Sequence, residues 1–276
     1  MNYIHKIRNI LTHFDSSIKE KSSFCLIRFG DGAIKCIHSF LFRDIEQMSE
    51  ISVREGIPLN EFPMLIEKWT STARNSSYID SQEMYFDGRF WPRMRKPTKG
   101  MTQKTKDRML MWEDLYGRLE FENYNYCNPE SNYLSVLRVD NWRNILDVMQ
   151  DRKICMITAQ PKVKSILSSA GYDVDVIPIV GHFENQYDNS YHQVMEYIEQ
   201  KVNSYDMWLV AAGELGRLYS GRIKELGGRT FDIGFIAEFW MGENIHPRLK
   251  PFMIRSCCNP LELTLTFEGK KYERFI

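Results

Sequence analysis

Asp31 stands between Gly30 and Gly32, after the apolar run Phe24, Cys25, Leu26, Ile27 that ends on Arg28 and Phe29. Beyond the turn, Ala33, Ile34, Ile37, Phe40 and Leu41 recur at helical spacing. A short apolar run with a single charge reads as a buried strand. Glycine reaches backbone angles that other residues avoid, so the chain can turn sharply here. Asp31 therefore lies on a tight strand-to-helix turn, where open α/β sheets keep their ligand chemistry. A carboxylate at that point can hold a metal ion or a sugar hydroxyl. Arg28 and the amides of the turn can meet phosphate oxygens. Aspartate also caps helices well, so the pattern alone leaves a structural role open.

A second turn of this kind, Gly213-Glu214-Leu215-Gly216, follows an apolar run and opens a helical pattern, which lets backbone amides approach a phosphate. It lacks the full G-x-G-x-x-G pattern, so a dinucleotide site of the usual kind is not expected, and tight strand–helix packing is its plain alternative. Asp232-Ile233-Gly234 ends a further strand; on a shared sheet edge Asp31 and Asp232 would face one cleft, and as a turn residue Asp232 would have no such role. His182 and Glu184 fall in the loop after another strand, where histidine can act as acid, base or phosphate partner, or simply support the fold. Arg89, Arg93, Arg95, Lys96 and Lys99 interleave with Phe90 and Trp91. Such a loop can clamp a diphosphate or stack against a glycan acceptor; it can equally be a solvated basic loop with Trp91 in the core. His5, His13, His38, His192 and His246 show no metal-ligand spacing, so no zinc site is expected.

These residues need a scaffold that brings distant turns to one place. Residues 1–18 carry Ile4, Ile7, Ile10, Leu11, Phe14 and Ile18 on one helical face. Residues 44–84 mix short helical patterns with polar breaks and suggest no definite order. The second half is clearer: strands are expected at 153–159, 174–180, 207–212 and 229–233, with helices at 161–170, 191–202 and after Gly216. Strands alternating with helices at these lengths mean a doubly wound, mainly parallel Rossmann-like α/β sheet. Beyond Trp240 the texture changes, and 261–267 alternates as a half-exposed strand of a C-terminal β extension.

Bulk composition narrows the function. The 276 residues suffice for a large core, and zero formal net charge argues against a dedicated nucleic-acid binder. No apolar run approaches a membrane span, and the N-terminus lacks the apolar core of a secretion signal. The six cysteines, Cys25, Cys36, Cys127, Cys155, Cys257 and Cys258, contain no CxxC pair. Those inside strands suit small buried hydrophobes, so a reduced, cytoplasmic protein is expected.

The segment Ile27-Arg28-Phe29-Gly30-Asp31-Gly32 resembles the N-terminal motif of the bacterial GT-D-type glycosyltransferases. In that family the motif continues to a glutamate, and the resulting Asp-x-Glu handles a metal and the nucleotide-sugar diphosphate. Ala33 stands in the glutamate's place here. The block from Val210 through Gly234 is similar to the family's C-terminal motif; it keeps Asp232-Ile233-Gly234 but has Phe235 where the family has histidine. The resemblance covers the first strand, turn and helix and most of 153–240.

The resemblance implies one GT-D-like α/β domain over 1–276, with a middle insertion at about 44–133 and the β extension at about 241–276. It implies sugar transfer from a nucleotide-diphosphate donor, a UDP-sugar, to a glycan or glycoprotein acceptor in bacterial surface glycan synthesis. Asp31, Asp232 and His182 would serve catalysis, and Arg28, Gly30, Gly32, Gly213, Glu214, Gly216 and Gly234 would bind the donor. Trp91, Arg93 and Arg95 would meet the acceptor or the diphosphate. Mn²⁺ or Mg²⁺ would sit on Asp31, with Glu214, Asp232 or another acid replacing the lost glutamate; otherwise Arg28 and the basic loop replace the metal. Self-association or other glycosyltransferases are the implied protein partners. The competing readings are a non-catalytic nucleotide- or glycan-binding subunit of the same fold and a Rossmann-like methyltransferase. The glycine-rich motif of the latter is missing after the first strand.

Overall fold

The computed structural model describes residues 4–5, 7–28, 31–80, 85–86, 92–93, 125–127, 145–181, 184–234 and 236–241, with isolated positions between 103 and 119. Of several of these, Asp31, Gly32 and Arg93 among them, the backbone alone is described. The elements in chain order are β1 (Ile4–His5), α1 (Ile7–Lys19), β2 (Phe24–Arg28), α2 (Asp31–Leu41), α3 (Ile45–Glu55), α4 (Phe62–Asn75), β3 (Tyr78–Asp80), β4 (Tyr85–Phe86) and β5 (Pro92–Arg93). There follow β6 (Tyr126–Cys127), β7 (Lys153–Thr158), α5 (Val163–Ser169), β8 (Asp173–Pro178), α6 (His192–Lys201), β9 (Met207–Ala211), α7 (Gly216–Glu225), β10 (Arg229–Asp232) and α8 (Ile236–Met241).

Eight strands form one sheet in the order β1-β6-β3-β2-β10-β9-β7-β8, with every pairing parallel. The outer strands β1 and β6 are two residues long, which leaves a body of six. The doubly wound α/β fold expected from the sequence is the one observed. Parallel sheets are covered on both faces, so their strands read as nearly continuous apolar runs. Side chains nevertheless alternate: Cys25 and Ile27 of β2 join one core, while Phe24 and Leu26 join the other. Trp208 and Val210 of β9 divide from Met207 and Leu209 in the same way. The first core packs under α2, α3, α4, α6 and α7, and the second under α1, α5 and α8. Edge-on contacts of Phe14 with Phe24 and Phe231, at 5.3 and 4.8 Å between ring centroids, knit α1 to the centre of the second core.

Within 44–84, whose sequence suggests no definite order, the described residues 44–80 include two α-helices and a strand of the main sheet. Asp44 caps α3 by accepting the Gln47 amide at 3.0 Å, and Gly56 ends it in a left-handed conformation (φ +70°). β3 follows α4 and pairs with β2, Arg28 lying in register with Asp80. Two expected boundaries shift. α2 begins at Asp31 itself rather than at Ala33, and α6 is preceded by a π-helical turn, Tyr187–Tyr191.

α7 is buried almost all round, since it lies between the sheet and α4. Gly221 faces Thr72 of α4, with no room for a methyl group between them. Gly221→Val should therefore cost about 1–3 kcal/mol through overpacking. A denaturant titration checks this, and an unchanged midpoint would mean that α4 can move aside at no cost.

Candidate active site

The strand order reverses between β7 and β9. From β7 the chain crosses through α5 on one face to reach β8; from β9 it crosses through α7 on the other face to reach β10. Open α/β sheets bind ligands outside the carboxyl ends of their strands at such a switch point. A cleft of about 430 Å³ lies there. Small residues that end or follow β7, β8 and β9 line it: Ala159, Gly181, Ala211, Ala212 and Gly213. Thr158 and Ala211 are in register, so the ends of β7 and β9 open side by side. A second cavity of about 460 Å³ lies between α4, α6 and α7. Its charged lining is largely spent internally, since Arg222 pairs with Glu199 at 2.8 Å and with Glu225 at 3.2 Å. The cleft at the sheet edge is thus the better candidate for chemistry.

Arg28, the last residue of β2, lines this cleft together with Gly213 and Gly234. The ends of β2, β9 and β10 thus open onto one cleft. Gly234 has φ +52°, and its missing side chain matters, because a Cβ there would run into the Arg28 guanidinium. The backbone of Arg28 is gripped from two sides. Its N–H donates to Asp232 Oδ2 at 3.2 Å, and its carbonyl accepts from Arg217 Nε at 2.6 Å. Arg217 Nη1 then meets Glu214 Oε2 at 2.6 Å, with the two side chains 6 % and 12 % exposed. A buried relay thus ties the Gly213–Gly216 turn to the end of β2 across 189 residues of sequence.

Each site residue expected from the sequence finds a definite place or lies outside the described residues. Asp232 is buried, and its second oxygen accepts the Gly234 amide at 3.2 Å. Burial raises its pKa, while Arg217, Arg28 and the two amide bonds oppose that rise. Asp232 therefore holds the ends of β2 and β10 together. Glu214 holds Arg217, and the buried Gly216 brings α7 against β9, where an added Cβ would meet Val210 Cγ1 at 3.1 Å. Asp31 and Gly32 open α2 directly beyond β2, on the same edge as Arg28. Arg93 lies in β5, which pairs antiparallel with β4. Gly30, Trp91, Arg95, His182, Phe235 and the expected β extension lie outside the described residues. Ala33 is fully buried in the apolar cluster with Ile27, Ile34 and Ile37. Cys25, Cys36 and Cys155 are buried and free; burial pushes the Cys25 thiol up to about 12, so it is an inert packing group.

The acids suggested as a metal's companions to Asp31 do not fit a cation. Hard divalent ions need several oxygen ligands. Both Asp232 oxygens take amide protons, Glu214 takes a guanidinium, and position 33 offers a methyl group. Among the described residues no group of three His, Cys, Asp or Glu side chains is placed to hold a metal.

Three residues of functional interest carry no signal in the sequence that points to them. Arg217 is hidden because its partners are remote along the chain. Glu238 of α8 is the one acid among the described residues lining the cleft. Gln186, between β8 and α6, also lines it. No local pattern marks either of the last two.

No family model matches the chain, and no curated protein matches it. Among solved structures it is similar to one described as a new glycosyltransferase (DUF1792) from Streptococcus sanguinis. The TM-score is 0.55 at 12% identity, over 86% of this chain and 82% of that one. It is also similar to a selenomethionine-substituted domain of unknown function 1792, with a TM-score of 0.51 at 14% identity over 85% of this chain and 79% of that one. At such identities the likeness is one of fold. The chain carries the α/β architecture of these DUF1792 structures, one of which is described as a glycosyltransferase.

Proposed function

We propose that the protein transfers a sugar from a nucleoside-diphosphate donor, a UDP-sugar, to a glycan or glycoprotein acceptor. The observation that carries this reading is the cleft at the switch point, lined by small residues and with Arg28 as the one cation among its described lining residues. Gly213 allows close approach of a ligand, Gly234 leaves room for the Arg28 guanidinium, and a guanidinium fork suits diphosphate oxygens. In the transfer, the acceptor hydroxyl oxygen bonds to the anomeric carbon as the bond from that carbon to the diphosphate oxygen breaks. Negative charge gathers on the leaving diphosphate, where Arg28 stabilises it. The hydroxyl proton passes to a carboxylate. Asp31 at the start of α2 and Glu238 in the cleft lining are the acids we assign to that step.

Arg28→Met keeps the length of the side chain and leaves the backbone bonds to Asp232 and Arg217 in place. It removes charge-assisted hydrogen bonds of about 1.5–3 kcal/mol, or about 10- to 150-fold in affinity. Calorimetric titration of UDP into both proteins should show that loss. Equal affinities would remove Arg28 from the donor site, and no UDP binding by the unmodified protein would end the nucleotide-sugar reading.

A further inference from the structure

Gln186, which lines the cleft, carries an unused hydrogen-bond acceptor. The residue is 3 % exposed. Its Nε2 donates to the Val180 carbonyl at 3.4 Å, while Oε1 is buried with no hydrogen-bond partner. The carbonyl at Val180 requires a donor, so it fixes which end of the amide is nitrogen. The loop around Gln186 is pinned on both sides. Ser190 Oγ accepts the Val180 amide at 3.1 Å, and Glu184 Oε2 accepts the Gly181 amide at 2.9 Å. The π-helical turn Tyr187–Tyr191 starts immediately afterwards, a distortion frequent at functional sites. A buried acceptor held in one orientation and left unsatisfied is costly for a fold, and a ligand donor would offset that cost.

Position along the cleft indicates which part of the ligand meets it. Arg28 ends β2, whereas Gln186 belongs to the loop beyond β8, four strands away in the order β2-β10-β9-β7-β8. At about 4.8 Å per strand that is about 19 Å along the sheet edge. With the diphosphate at Arg28, the far end of the cleft is left for the base. We propose that Gln186 reads the base of the donor, its Oε1 accepting the imide N3–H of uracil. This assignment rests on the nucleotide-sugar reading of the cleft.

The test uses the intact protein and calorimetric titration of UDP, CDP, N3-methyl-UDP and inorganic pyrophosphate. UDP should bind about tenfold or more tightly than N3-methyl-UDP and CDP, neither of which has a proton on N3. Gln186→Met keeps an unbranched side chain but removes the acceptor; it should erase the preference for UDP and leave pyrophosphate binding unchanged. Should that variant fail to fold, the comparison of ligands on the unmodified protein decides alone. Equal binding of UDP and either CDP or N3-methyl-UDP, or unchanged UDP affinity in Gln186→Met, overturns the role of Gln186 and leaves the donor reading intact. Absence of binding by UDP and CDP alike overturns the donor reading itself, and this role with it.

Discussion

Arg217→Met should destabilise the fold by about 3–5 kcal/mol, the usual cost of removing one partner from a buried ion pair. The guanidinium is buried, and its loss strands the carboxylate of Glu214, whose side chain is only 12 % exposed. It also takes away the donor to the Arg28 carbonyl and the cation that opposes protonation of Asp232. The pH dependence has a definite sign. Burial already raises the Asp232 pKa above its unfolded value, and removing Arg217 raises it further. A carboxyl with a raised folded pKa favours the folded state below the unfolded pKa, and that contribution is lost as pH rises through the folded value. Urea unfolding of the variant should therefore show a smaller deficit at about pH 5 than at about pH 8. Adding Glu214→Gln should recover part of the loss, since the stranded charge is gone. A deficit below about 1 kcal/mol at every pH would mean that the relay is solvated, as surface pairs are.

That relay also marks the limit of what pattern can show. β2, β7 and β9 were legible because strands buried on both faces read as nearly continuous apolar runs, and glycine turns followed β2 and β9. β3 was not: Tyr78, Ile79 and Asp80 form too short a run to show a period. The strand is set instead by the Ser77 amide on the Cys25 carbonyl and the Ile79 amide on the Asn125 carbonyl, both at 2.8 Å. Asp232 was legible as an acid at a strand end, but only the structure shows both its oxygens engaged by amides. Arg28 could be read from its place before the glycine turn. Gln186, Glu238 and Arg217 could not, because what distinguishes them is the cleft or partner they meet in space. Local spacing carries information about elements; it carries none about which turns the strand order brings together.

Ala33 is where the resemblance to the GT-D motif and the structure pull apart. Ala33→Glu would restore the family's Asp-x-Glu pattern, and on sequence grounds it should strengthen dependence on Mn²⁺ or Mg²⁺. The structure leads to a different expected result. Ala33 is fully buried, in the cluster that holds Ile27, Ile34, Ile37 and Trp69. A glutamate there adds volume to a packed core and buries a charge among apolar groups. Overpacking alone costs about 1–3 kcal/mol, and an unpaired buried charge adds to it until the group takes up a proton. The total should exceed about 3 kcal/mol near neutral pH and shrink as pH falls, because a buried carboxyl has a raised pKa. Ala33→Gln separates the two contributions: it adds the volume without the charge, so its deficit should be smaller at neutral pH and nearly independent of pH. Thermal unfolding of both variants between about pH 5 and pH 8, with and without Mn²⁺, gives the answer. If Ala33→Glu is as stable as the unmodified protein and Mn²⁺ raises its melting temperature, the start of α2 can turn a side chain at position 33 into the cleft. The alanine would then be a lost ligand, and its burial in the apolar cluster would be only one arrangement of that turn.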